Sequence, residues 1–103
     1  MEQTTKTLIF IDTETTGNLP EDKLIQVAYR TTDDSSDVNE FFSTDIPIKI
    51  GAMAVHHTTE KMIEGKPAFP GSETFQDLES RFKSGEIFIA HNAGLTLKQY
   101  FNY

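Results

Sequence analysis

The chain has 103 residues, 37% of them hydrophobic, with eight Phe, no Trp and no Cys. That length suits one small domain or part of a larger one. Without Cys there is no disulfide framework and no thiolate metal site. Any bound metal must be held by carboxylates, His or carbonyls, a donor set that favours hard cations such as Mg²⁺ or Mn²⁺. The net charge of −7 and pI near 4.8 exclude a protein that coats nucleic acid through a broad basic surface, though not one that grips a strand end through bound cations. No stretch reaches membrane-span length, and the first residues carry no basic region leading into an apolar leader. A cytoplasmic location with no membrane partner is therefore expected.

In chain order, Thr7 to Thr13 (TLIFIDT) is a short apolar run of the kind that forms a buried central strand. A turn through Thr16-Gly17-Asn18-Leu19-Pro20 follows. Lys23 to Thr32 alternates, with Ile25, Val27 and Tyr29 on the more apolar face, which predicts a half-buried strand. Asp33 to Asp37 is a solvated turn, and Val38 to Ser43 reads as a third strand that completes an antiparallel meander. From Pro47 to Gly71 the pattern is irregular, with short helical pieces, one of them capped by Thr58. Ser72 to Ser84 predicts a firm helix. Ser72 is its N-cap, Phe75, Leu78 and Phe82 form its stripe, Arg81 and Lys83 occupy its last turn, and Gly85 follows it. Glu86 to Ala90 predicts a fourth strand. Reached through a helix, it is expected to pair in parallel with an earlier strand. Ala93 to Tyr103 reads as helical, with Leu97, Tyr100 and Phe101 on one side. A sheet so composed leaves an uncovered edge, which is expected to invite association into a homo-oligomer.

The chemistry concentrates at Phe10-Ile11-Asp12-Thr13-Glu14-Thr15-Thr16-Gly17. Side chains two apart on a strand share a face, so Asp12 and Glu14 place two carboxylates side by side where an apolar strand ends. Such a pair repels itself unless a cation lies between the two. The alternative of two solvated turn acids is weakened by the apolar run before them and the sharp Thr-Thr-Gly turn after them.

The string F-x-D-x-E-T-T-G resembles the first motif of the DEDD superfamily of 3′–5′ exonucleases. Its members include the proofreading subunit of bacterial DNA polymerase III, ribonuclease T and oligoribonuclease. Two later segments support the resemblance. Ala54-Val55-His56, then Thr59 and Gly65 to Phe69, is similar to the family's "VHGIT…kPxF" stretch, with His57 in place of Gly and Thr58 in place of Ile. Ile87 to Gly94, with His91-Asn92, is similar to the second motif, "ahNaxFDxxfL", where Leu95 stands for Phe and Thr96 for the metal-binding Asp. The third motif, which carries a His base and a fourth acid, has no counterpart in these residues.

The resemblance implies an α/β ribonuclease H-like mixed sheet: a three-strand antiparallel meander, a parallel fourth strand and flanking helices, with the later part of the fold missing. It implies one incomplete exonuclease domain over residues 1–103. Asp12 and Glu14 would be catalytic metal ligands of a two-metal Mg²⁺ or Mn²⁺ site, with the second metal weakened by Thr96. Thr15, Thr16, His56, His91 and Asn92 would contact a DNA or RNA 3′ end; His56 is near substrate or supports the fold and is not the base. With two of the four acids and no base, the chain is expected to be weakly active or inactive alone. The other reading is a non-catalytic nucleic-acid or nucleotide binding module derived from such an enzyme. A phosphotransferase with acids after its first strand is disfavoured, since it would carry D-x-D and continue into a helix.

Overall fold

The apolar run after Lys6 lies inside the sheet because it finds partners on both sides, as does the strand that follows it. A computed structural model describes residues 6–19 and 21–91. Its strands are β1 (Leu8–Thr15), β2 (Leu24–Thr31), β3 (Asp37–Phe41) and β4 (Ile87–His91). They form one four-stranded sheet in the order β3-β2-β1-β4. β1 pairs antiparallel with β2 and parallel with β4, and β2 pairs antiparallel with β3. The expected meander and parallel fourth strand are both present. Three helices complete the order: α1 (Ile50–His56), α2 (Glu60–Ile63) and α3 (Glu73–Lys83), all between β3 and β4.

Alternation along the strands divides the sheet into two faces. Ile9, Ile11, Val27 and Tyr29 point to one side, where they pack with Leu78 of α3, Phe42 and Phe69. Phe75, Phe82, Phe88 and Ala90 close this core at its margin. Phe69 makes edge-to-face contacts with Phe42 and Phe75, each with 5.3 Å between ring centroids, the arrangement aromatic quadrupoles favour. The other side of β1 and β4 is open among the described residues: Phe10, Ile87 and Ile89 are 49%, 47% and 43% exposed. Phe10 lies in register with Ile89, so these apolar side chains form one stripe on that face.

The helix α3 follows its sequence signals closely. The Ser72 hydroxyl accepts from the Phe75 N–H at 3.0 Å, and Gly85, at φ 82°, takes the left-handed turn beyond the end. Its charged side ties three elements together. Tyr29 of β2 donates to Asp77, Arg81 donates to Asp77 at 3.1 Å and to Glu86 at 2.8 Å, and Arg81 also reaches the hydroxyls of Ser35 and Ser36 at 2.8 Å. Burial, and beside it the Asp77 carboxylate, push the Tyr29 hydroxyl well above its ordinary 10.0, so it remains a donor.

The middle of the chain is more ordered than its pattern suggests. α1 buries none of its residues, which is why no apolar period marks it. The cap of α2 is Thr59, whose hydroxyl accepts from the Met62 N–H at 3.4 Å. Thr58, the expected cap, is buried. A second cluster of Ile25, Ile48 and Ile63, with Phe41, Ala52 and Met53, anchors these short helices to the sheet. It is supplied by a bulge: the β1–β2 pairing shifts between Glu14 and Thr15, so that Leu24 joins the first core and Ile25 the second. Residues 93–103, read as a helix, lie outside the described residues.

Leu78 has no exposed surface, whereas Val55 on α1 is 77% exposed. Leu78→Ala is therefore expected to lower the unfolding free energy by about 3 kcal/mol, and Val55→Ala to change it by no more than about 0.5 kcal/mol. Urea denaturation of both variants checks this.

Candidate active site

Asp12 and Glu14 stand on the open face of β1, two residues apart along about 7 Å of extended chain. Asp12 is exposed and Glu14 half-buried. The neighbouring positions leave them room: Asp12 is in register with Ala28 on one side and with the His91 backbone on the other, and Glu14 with Gln26. Among the described residues neither carboxylate accepts a hydrogen bond or pairs with a cation, although other acids of the chain do. Two free hard-oxygen donors on one face suit a divalent cation that keeps part of its water shell, as Mg²⁺ does. Among the described residues no cluster of three or more His, Asp or Glu offers a fuller shell. Asn92 and Thr96 lie outside the described residues, and so does the side chain of His91.

Beyond Glu14 the chain turns sharply, and the turn is organised from inside. Thr16 is fully buried. Its hydroxyl donates to Asp22 Oδ1 at 2.6 Å and accepts from the Lys23 N–H at 3.0 Å, while its N–H donates to the Lys23 carbonyl at 2.8 Å. Asp22 also accepts from the Leu19 N–H at 2.9 Å and from the Lys49 ammonium at 2.8 Å. Burial pushes the Asp22 carboxyl up, but the hydrogen bonds from Lys49, Thr16 and Leu19 together outweigh it and hold the group below its ordinary 3.8. Gly17 is required at the centre: a Cβ there would stand 2.5 Å from Asp22 Oδ2 and 2.6 Å from Lys49 Cδ.

Thr15 and Gly17 face a cleft. With Glu14, Asn18, Lys49, Gly51, Ala52, Val55 and His56 they line an open space of about 540 Å³ between the end of β1 and α1. Two contacts hold α1 against it. The Lys49 N–H donates to the Thr16 carbonyl at 2.9 Å, and His56 Nε2 lies 3.0 Å from the Thr15 carbonyl. His56 Nδ1 accepts from the Thr58 N–H at 3.0 Å. With Nδ1 an acceptor, the proton of the neutral ring sits on Nε2, which donates to Thr15. The Thr15 hydroxyl donates to the Gly17 carbonyl at 2.6 Å.

Of the residues singled out from sequence, the structure thus brings Glu14, Thr15 and His56 to one cleft, with Asp12 next to it on the same strand. It places the Thr16 side chain inside the turn, as a brace. Asp22 and Lys49 were not foreseen. They lie 27 positions apart, and no spacing links them. The one signal was Gly17, since a glycine after two carboxylates marks a close approach of something else.

A family model described as Exonuclease (RNase T) matches residues 9–99, most of the chain and all of the cleft. The chain belongs to this exonuclease family. Among solved structures, exonuclease X in complex with 5′ overhanging duplex DNA is similar at 29% identity and a TM-score of 0.62, over 90% of this chain and 52% of that one. Exonuclease I in complex with the inhibitor BCBP is similar in fold at 22% identity and a TM-score of 0.65, over 88% of this chain and 22% of that one. Its product-bound form gives 23% identity and a TM-score of 0.65. The chain spans about half the length of exonuclease X and under a quarter of exonuclease I. A comparison with curated proteins gives no match. The ribonuclease H-like fold of these exonucleases is the one expected from the motif around Asp12.

Two consequences are measurable. His57 caps α1 in the left-handed region, at φ 60°, with its N–H donating to the Met53 carbonyl at 2.8 Å. The resemblance puts Gly at this position, and a side chain there costs on the order of 1 kcal/mol. His57→Gly is expected to raise the urea midpoint accordingly. Asp22, with its folded pKa depressed, contributes stability that is fully present above its unfolded value near 4. That stability is lost as pH falls through the lower folded value. A pH series of unfolding free energies should therefore fall below about pH 4, and Asp22→Asn should be less stable at neutral pH with a shallower acid slope.

Proposed function

We propose that the chain forms the ligand-bearing part of a divalent-metal-dependent 3′–5′ exonuclease that hydrolyses nucleotides from a DNA or RNA 3′ end. The observation that carries this reading is the pair of carboxylates, Asp12 and Glu14, unpartnered among the described residues, on the open face of a central strand beside a cleft. The DNA bound by exonuclease X supports a nucleic-acid substrate, and the family supports hydrolysis. Mg²⁺ or Mn²⁺ is the cation that fits two carboxylates completed by water and substrate phosphate. Such a cation supplies activation of a water nucleophile and stabilisation of the leaving 3′ oxygen.

The chain's own residues divide the remaining work. Asp12 and Glu14 would hold the cation from one strand, Asp12 where it is paired on both sides and Glu14 where it is paired with β2, so their spacing is preset. The Thr15 backbone and the Gly17-Asn18 turn shape the wall against which a terminal nucleotide lies. His56, bound to the Thr15 carbonyl, fixes the opposite wall. His91 is at the strand end next to Asp12 in register, where it is suited to meet the same strand of nucleic acid. A general base comes from outside the described residues, and its loss from such an enzyme typically lowers rates by about 10²–10⁴-fold.

The decisive assay is Mn²⁺-dependent shortening of a 5′-labelled single-stranded oligonucleotide, with isothermal titration of Mn²⁺ beside it. Wild type should bind Mn²⁺ and shorten the strand from its 3′ end slowly at most, because the third motif's base has no counterpart in this chain. Asp12→Ala should abolish both, and Glu14→Ala should weaken Mn²⁺ binding. Mn²⁺ affinity unchanged in both variants would refute the metal-ligand assignment. Metal and strand binding without shortening would mark the chain as an inactive portion of such an enzyme or a binding module derived from one.

A further inference from the structure

We infer that Lys49 contacts a phosphate of the strand whose 3′ end enters the cleft, drawing an anionic ligand to the metal-ligand carboxylates of a chain that otherwise repels it. The inference rests on the exonuclease reading of the site and adds a residue that the motifs do not mark.

The electrostatic problem is general. At a net charge of −7, and with Glu14 itself in the cleft wall, the surroundings oppose a polyanion. Bound cations at Asp12 and Glu14 neutralise only the reacting end. Among the described residues lining the cleft, Lys49 is the sole Lys or Arg. Its placement is fixed from several directions. Its N–H is held by the Thr16 carbonyl, and its stem runs over Gly17, so close that a Cβ there would meet Cδ at 2.6 Å. Its ammonium rests on Asp22 Oδ2 at 2.8 Å, with Glu21 at 4.0 Å.

An ammonium carries three protons. Asp22 accepts one from inside the turn, where its side chain is 2% exposed, while the Lys49 side chain, which lines the cleft, remains 46% exposed. The ammonium is therefore anchored on one side and open on the other. An anchored cation loses little side-chain freedom when a phosphate arrives, which favours binding over that of a free surface lysine. The same anchor connects the phosphate contact, through Asp22 and Thr16, to the turn that follows Glu14.

A structural ion pair and a phosphate contact make different predictions for salt dependence. Each phosphate neutralised on a single strand contributes about −0.7 to the slope of log K against log salt. The test is fluorescence anisotropy of a 5′-fluorescein single-stranded oligonucleotide over a KCl series, with Ca²⁺ in place of Mg²⁺. Wild type is compared with Lys49→Met, Lys49→Arg, Asp22→Asn and Asp12→Ala, each checked for folding by circular dichroism. Lys49→Met should weaken binding about ten-fold and flatten the slope by about 0.7. Lys49→Arg should keep the slope. Asp22→Asn, which removes the internal anion and leaves the ammonium, should keep or steepen it. If Lys49→Met does not fold, Lys49→Gln takes its place, since its amide can still donate to Asp22 without a charge. A neutral variant that binds with the wild-type slope overturns the role of Lys49 while leaving the exonuclease reading intact. Wild type that binds no strand, or binds it equally well after Asp12→Ala, overturns that reading and the inference with it.

Discussion

The structure around the site depends on one buried carboxylate. Asp22, itself sheltered from water, gathers a hydroxyl, a backbone N–H and an ammonium. Alone, a carboxylate so buried would be driven towards its neutral form; with three donors it stays charged and becomes a strong acceptor. Its partners come from three segments that are separate in sequence: the end of β1, the loop before β2 and the entry to α1. Fixing them together fixes the direction in which the chain leaves Glu14. It also sets the distance between strand and helix that defines the cleft. Gly17 is the steric counterpart of the same constraint, because the cluster closes tightly enough to leave no room for a methyl group.

A second constraint is the division of β1 and β4, among the described residues, into a filled face and a free one. β1 spends Ile9, Ile11 and Thr13 on the core below α3 and keeps Phe10, Asp12 and Glu14 on the other side. A strand that is central in hydrogen bonding yet open on one face is a rigid mount for charged groups. Asp12 gains the stiffness of two flanking strands and Glu14 that of β2, without being desolvated by a core. The aromatic packing of Phe42, Phe69 and Phe75 and the Tyr29-Asp77-Arg81-Glu86 network hold the filled face. The free face then does not have to supply stability.

Legibility in the sequence followed burial. β1, β2, α3 and β4 each spend an apolar period on the core, and their limits lie within a residue or two of those expected. α1 was read only as an irregular stretch with helical pieces, because Ile50 and Val55 face solvent and Lys49 offers no side-chain cap. The placing of the cap at Thr58 instead of Thr59 has a related cause. Either hydroxyl suits the role, and the choice was made by the burial of Thr58 and its bond to His56. In the site, Asp12 and Glu14 were legible because their spacing matches the period of a strand. Thr16 was legible as part of a motif but not in its orientation, since a bulge between Glu14 and Thr15 interrupts the alternation. Asp22 and Lys49 were invisible, because a polar cluster joined across 27 positions leaves no local pattern.

The poverty of α1 in buried residues has a kinetic side. α1 buries no residue completely, and only its half-buried Ala52 and Met53 pack against the cluster around Ile48, so it gains little solvent-driven free energy from staying in place. Its docking therefore rests on its end contacts at Thr15 and Thr16 and on the neighbouring cluster around Ile48. Opening such an element costs a few hydrogen bonds, whereas opening β1 requires dismantling the core. The two walls of the cleft accordingly belong to different cooperative units. The wall bearing the carboxylates is expected to exchange its amide protons only through near-global unfolding. The wall bearing Val55 and His56 is expected to exchange through small local excursions, which would let the cleft widen and close while its acidic side stays still.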